Sequence, residues 1–240
     1  MNRITRMILA CIAVAMFTPF AVSAEKLSAE RMWSMVRLGD AGISPDGKLA
    51  VVSATRFNVE ENRGYTDLWL YPTDGGTGRQ LTTDAAADSS PSFSPDGKWI
   101  AFVSKRGDDK ESQLYLIPTD GGEARRLTAI PTGANAPKWF PDGSKIAFVS
   151  AIWTDLAEWK AQGKRMKDRA DSKMSAKEWD RAPVSYWDRF LDDRQPHLFS
   201  IPVEGGEPTA ITRQSGHHLS KADYSASSYD ISPDGTEVAF

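Results

Sequence analysis

The sequence predicts an all-β fold: a partial β-propeller of about three complete four-stranded blades plus the start of a fourth, with a helical insertion in the third blade. Three observations predict it. The turn phrase S-P-D-G recurs, intact or nearly so, with its prolines at Pro45, Pro95, Pro141 and Pro233, spaced 50, 46 and 92 residues apart. A second phrase, an apolar strand running into Gly-Gly, recurs between those copies, at Gly75-Gly76, Gly121-Gly122 and Gly205-Gly206. Each Gly-Gly is followed by a short returning strand that ends in threonine. Two independent phrases in one order, at a period in the forties, mark a repeated four-stranded unit.

Residues 1–24 precede the fold. Arg3 and Arg6, an apolar run over residues 7–17 and the small residues Val22-Ser23-Ala24 make a secretory signal peptide cleaved after Ala24. The run falls short of the ~20 apolar residues a spanning helix needs, so no stable membrane anchor is expected. Cys11, the only cysteine, lies inside that run, which continues beyond it; it reads as part of the signal rather than a lipid-attachment site. A mature chain without cysteine relies on its core instead of disulfides, and the expected location is periplasmic or secreted. Without the signal, 27 basic residues face 32 acidic ones, a balance that gives no reason to expect nucleic acid or an anionic membrane as partner.

The blades follow in order. Residues 25–240 form the front part of the propeller domain, with blades at about 41–83, 91–129 and 136–213 and a fourth begun at Tyr229. In each turn, serine opens it, proline presets φ at the second position, aspartate bonds local backbone and glycine takes a left-handed conformation. The strand that follows, such as Trp99-Ile100-Ala101-Phe102-Val103, is apolar on both faces and expects cover on both sides. Three blades and a fraction do not close a ring, and Phe240 stands where earlier copies are in mid-strand. The expectation is that the sequence is the front of a longer protein.

The third blade carries a long excursion, about residues 151–195, where blade two has about ten residues. Leu156, Trp159, Met166 and Ala170 fall at helical spacing, with Asp155 as the expected cap, and Ser175 to Glu178 reads as a second capping box. Seven basic residues crowd between Lys160 and Lys177 against only Asp168 and Asp171. A solvated helical excursion is the plain reading; a lid or docking surface is the sharper one. Tyr186, Trp187 and Phe190 are expected to pin the excursion to its blade.

No catalytic machinery is legible. Ser44 sits in G-I-S-P-D, which lacks the second glycine of a nucleophile elbow and runs into a strand, and no G-x-S-x-G occurs in the 240 residues. Asp46, Asp96, Asp142 and Asp234 stand one per blade, without the alternating ligands of a calcium loop. His197, His217 and His218 are too few for a zinc site, and no cofactor is expected. The candidates for substrate contact are His217 and His218, in a polar connection between blades three and four, and Trp187.

The blade phrases, the lead-in at residues 27–40 running into Ala41-Gly42-Ile43, the stretch Asn62-Arg63-Gly64-Tyr65 and the stretch Tyr186-Trp187-Asp188-Arg189 resemble the N-terminal propeller of the prolyl oligopeptidase family of serine peptidases, in its acylaminoacyl-peptidase and dipeptidyl-peptidase branch. The resemblance implies a second, α/β-hydrolase domain that cleaves short peptides, absent from this chain, with the propeller gating access to it. A peptide substrate and that hydrolase domain are the implied partners, and an oligomer is compatible with it. No triad residue is carried over. The alternative is a non-enzymatic, TolB-like periplasmic propeller that binds partner proteins, since such propellers use the same blade phrases.

Overall fold

The computed structural model describes residues 26–174, 184–186, 189–190, 193–213, 215–221 and 224–240. The signal segment, the Ser175 capping box and Trp187 lie outside the described residues, as do the side chains of Tyr186 and Phe190. The chain divides into residues 1–35 and residues 36–240. In the first unit, α1 (Ala29–Ser34) is a short helix whose N-cap Ser28 accepts a hydrogen bond from the Arg31 amide at 3.2 Å. No helix among the described residues is long and apolar enough to cross a membrane.

The second unit is built of antiparallel four-stranded sheets. Blade one comprises β1 (Arg37–Ile43), β2 (Leu49–Asn58), β3 (Arg63–Pro72) and β4 (Arg79–Gln80). It starts earlier than the expected edge at residue 41, because Arg37 and Leu38 already pair with Thr55 and Ala54. Blade two comprises β5 (Asp88–Phe93), β6 (Trp99–Ser104), β7 (Gln113–Pro118) and β8 (Arg125–Arg126). Blade three opens with β9 (Asn135–Trp139) and β10 (Lys145–Ile152). The chain then leaves through α2 (Trp159–Asp171) and a hairpin of β11 (Val184–Tyr186) and β12 (Arg189–Phe190). It returns as β13 (Gln195–Pro202) and β14 (Thr209–Ala210). The fourth blade begins with β15 (Asp230–Ile231) and β16 (Val238–Ala239), which pair with each other.

The hairpin turns show why the phrase recurs. Ser94 Oγ donates to Asp96 Oδ1 at 2.6 Å and accepts from the Trp99 amide at 2.9 Å, while Asp96 Oδ1 accepts from the Lys98 amide at 3.1 Å. Ser44 with Asp46 and Ser232 with Asp234 repeat this pattern. Where Phe140 replaces the serine, Ser144 donates to Asp142 Oδ2 at 2.7 Å instead. Gly97 sits at φ 71°, which a Cβ would strain. The serine bond first, then the amide bonds, hold Asp46 and Asp96 below the usual carboxylate range, and the same groups take Asp234 down to about 2.

Both faces of blade two are covered. Ile100, Phe102 and Tyr115 pack against Val51, Leu68 and Leu70 of blade one. Ala101, Val103 and Leu116 pack against Ile146, Phe148 and Phe199 of blade three. Phe102 and Phe148 are fully buried, each contributing about 2–3 kcal/mol of apolar transfer. Ala147, Val149 and Leu198 continue the series against Tyr229. The threonine closing each unit makes the same bond in all three blades, with Thr82, Thr128 and Thr212 Oγ1 accepting from the amides of Leu68, Leu114 and Leu198 at 2.9–3.0 Å.

The insertion is clamped to its blade. Asp155 does not cap α2; Glu158 occupies that position without a side-chain bond, and Asp155 pairs with Arg165 at 2.7 Å. The helix starts later than expected because Gln162, itself 1% exposed, holds the preceding backbone. Its Oε1 accepts from the Trp153 amide at 3.0 Å, and its Nε2 donates to the Trp153 and Leu156 carbonyls at 2.7 and 2.8 Å. Arg213 donates to the carbonyls of Ala157 and Leu156, and Trp159 lies 5.0 Å from Phe199, ring to ring. The basic excess is largely met: Lys164 pairs with Asp168, Lys167 with Asp171 and Arg169 with Asp193. The excursion is therefore part helix and part hairpin, held in place by polar ties.

Candidate functional site

The concave surface where the inner strands meet is the strongest candidate. β1 packs beside β5 and β5 beside β9, so the first strand of each blade faces a common cavity of about 710 Å³. Its wall draws on Asp40, Ser90, Asn135, Lys138 and Tyr224, with Ile43 and Phe93 as apolar patches. Alternation along a strand cannot place these groups alone, because each inner strand carries a register shift: between Leu38 and Ala41, between Ser89 and Ser92, and opposite Ala147 to Val149. Such bulges re-aim side chains and release backbone from the ladder. Ser90 and Ala136 occupy positive φ, 51° and 54°, at two of these bulges.

Each blade boundary has a polar tie beside this cavity. Asp40 Oδ2 accepts from both the amide and the hydroxyl of Ser90, at 3.1 and 3.0 Å. The Trp139 indole donates to the Ser92 carbonyl at 3.0 Å, and the buried Tyr229 hydroxyl donates to the Ala136 carbonyl at 2.6 Å. Burial pushes the Tyr229 phenol far above its ordinary range, so it acts as a permanent donor. Lys138 Nζ donates to the Tyr229 carbonyl at 2.8 Å and to Asp230 Oδ1 at 3.0 Å. That bond, then the Ile231 amide, holds the Asp230 carboxyl below its usual range.

His217 and His218 are exposed on the connection after β14, and neither lines the cavity. The His218 ring lies 6.4 Å from His197, and the His217 ring 6.5 Å from Phe240. His197, within β13, is 3% exposed and its Nδ1 lies 3.0 Å from Thr212 Oγ1. Burial first, then the charges of His218 and Arg213, lowers its affinity for a second proton. Among the described residues, no imidazole is hydrogen-bonded to a serine hydroxyl, and no three His, Cys, Asp or Glu side chains converge on a metal-sized site. Asp40, read only as the end of the lead-in, and Lys138 were not among the candidate contacts, because bulges are not written in residue spacing. The only signal was the pair of prolines, Pro91 and Pro137, interrupting the inner strands.

Residues 64–167 match the Tricorn protease N-terminal beta propeller domain. The blades have named relatives on both sides of the expected division. The chain is 33% identical over 98 residues to dipeptidyl-peptidase 5 of Porphyromonas gingivalis, covering 40% of this chain and 14% of the relative. It is 40% identical over 78 residues to a TolB homologue of Chlorobium luteolum, covering 32% of this chain and 17% of the relative. Among solved structures, the acylaminoacyl peptidase of Pyrococcus horikoshii superposes with a TM-score of 0.55 at 16% identity, over 77% of this chain and 26% of that one, which shows the fold alone. The chain spans less than a fifth of the length of the two relatives.

Proposed function

We propose that this Tricorn-type propeller is the gating, substrate-selecting part of an exported serine peptidase that hydrolyses short peptides. The observation that carries the reading is the cavity lined by the first strands of the three blades, on a chain that is similar over 98 residues to a dipeptidyl-peptidase. A rigid wall of sheets beside a hydrolytic centre selects by size, because the blades do not yield to a folded protein. The clamped insertion fits a fixed rim better than a swinging lid, since Gln162 and Arg213 tie its backbone down. In this reading the reactive serine lies in a hydrolase domain and the peptide is the partner of the cavity.

A second reading, a non-enzymatic propeller that binds partner proteins, is favoured by the 40% identity to a TolB homologue. Labelling of the whole protein with a fluorophosphonate serine probe separates the two. A labelled band, lost after heat denaturation, is the expected result. No labelling under conditions where a control peptidase reacts would leave the binding propeller.

A further inference from the structure

Among the residues lining the cavity, Asp40 is the carboxylate and Lys138 the cation. The two are not equivalent. Lys138 is already met by Asp230 and the Tyr229 carbonyl. Asp40 is exposed and lines the cavity, and its side-chain hydrogen bonds go to one oxygen, Oδ2, so that Oδ1 has no protein donor among the described residues. The carboxylate is also held still. Both bonds come from Ser90, whose backbone is kept at φ 51°, a conformation that costs a non-glycine residue about 1 kcal/mol and persists where the surroundings demand it. A strained residue of the neighbouring blade thus fixes a carboxylate on the cavity wall. Ile43, three residues along β1 and 63% exposed, sits on the same wall about 10 Å away.

A fixed anion beside apolar surface matches a side chain with a cationic head and an apolar stem. We infer that Asp40 receives a lysine or arginine side chain of a peptide lying along the inner strands, so that the cavity favours basic peptides. This rests on reading the cavity as a peptide passage, and it adds the charge of the cargo. Asparagine at this position would keep an oxygen for Ser90 and lose the charge.

The test is binding, read independently of hydrolysis. A fluorescent peptide, acetylated and amidated at its ends and carrying one central lysine, is titrated against the whole protein by anisotropy, next to the same peptide with norleucine. At low salt the lysine peptide is expected to bind about 5-fold tighter, the upper range for an exposed ion pair, and salt should erase the difference. Asp40→Asn should bring the two peptides to the same affinity; Asp74→Asn, outside the cavity, should keep the preference. Equal affinities in the unaltered protein would overturn the inference, and so would a preference that survives Asp40→Asn. A preference seen only for peptides with a free amino terminus, whatever their side chains, would overturn it too. Failure of probe labelling alongside an intact lysine preference would sink the peptidase reading and leave Asp40 as the basic-peptide contact.

Discussion

Blades two and three share one sheet plan and differ in one connection. β6 and β7 are joined by a short loop, whereas β10 and β13 are separated by α2 and the β11–β12 hairpin. Yet the ladder between β10 and β13 runs unbroken through eight residue pairs, from Lys145 with Pro202 to Ile152 with Gln195. The six pairs of β6 with β7 show the same regularity. A long excursion costs little when it leaves from strand ends, since closure entropy grows only slowly with loop length. What the excursion needs is its own attachment, and blade three supplies it through Gln162, Trp153 and Arg213.

The largest expected effect strikes the feature both blades share. Phe148→Ala empties the fully buried space between blades two and three, against Phe199 at 5.8 Å, and should cost about 3–5 kcal/mol. Phe102→Ala should cost a similar amount at the boundary of blades one and two. Denaturant unfolding of the whole protein measures both. Unequal costs, with blade three much less sensitive, would mean that the insertion has loosened its blade.

A smaller effect separates the blades. Gln162→Ala removes three hydrogen bonds to backbone in a buried place and should cost about 1–3 kcal/mol locally. Limited proteolysis should then cut within residues 153–174, while the short connection of blade two stays as resistant as before. Unchanged protection of the insertion would show that Trp159 and the ion pairs suffice without Gln162.

The smallest effect concerns one corresponding position. In blade two Thr128 Oγ1 donates to Gln113 Oε1 at 2.8 Å; in blade three Thr212 meets His197 Nδ1. The His197 imidazole is held below its ordinary value of 6.5, chiefly by burial. As pH falls through that value, the unfolded chain takes up a proton that the folded one refuses, so stability declines until the folded group also titrates. His197→Gln, which copies blade two, should flatten that part of the pH–stability curve. A slope unchanged by the substitution would place its origin elsewhere.

The blades were largely legible, and for a physical reason. S-P-D-G and L-T are local devices: each of Ser94, Asp96 and Thr128 bonds within its own blade, at positions the phrase itself specifies. Apolar residues on both faces of β6 gave away the cover on both sides. The insertion was half legible. Its helical spacing named α2, but Asp155 was misread as a cap because its partner Arg165 lies ten residues on, about two helix turns beyond the reach of a capping pattern. The basic run looked unpaired because Asp193, which meets Arg169, stands 24 residues downstream. The cavity was the least legible part, since Asp40 meets Ser90 across 50 residues and through a bulge.

The outermost strands β4, β8 and β14 are only two residues long. A rim so abbreviated offers a stranger's backbone almost no bare amides or carbonyls to add to, while the threonine behind it seals the next amide inward. Crowded side by side, such molecules would have little to zip together along these rims, and that resistance to fibrous association is written into the two-residue strand and the aliphatic residue and threonine after it that close each of the first three blades.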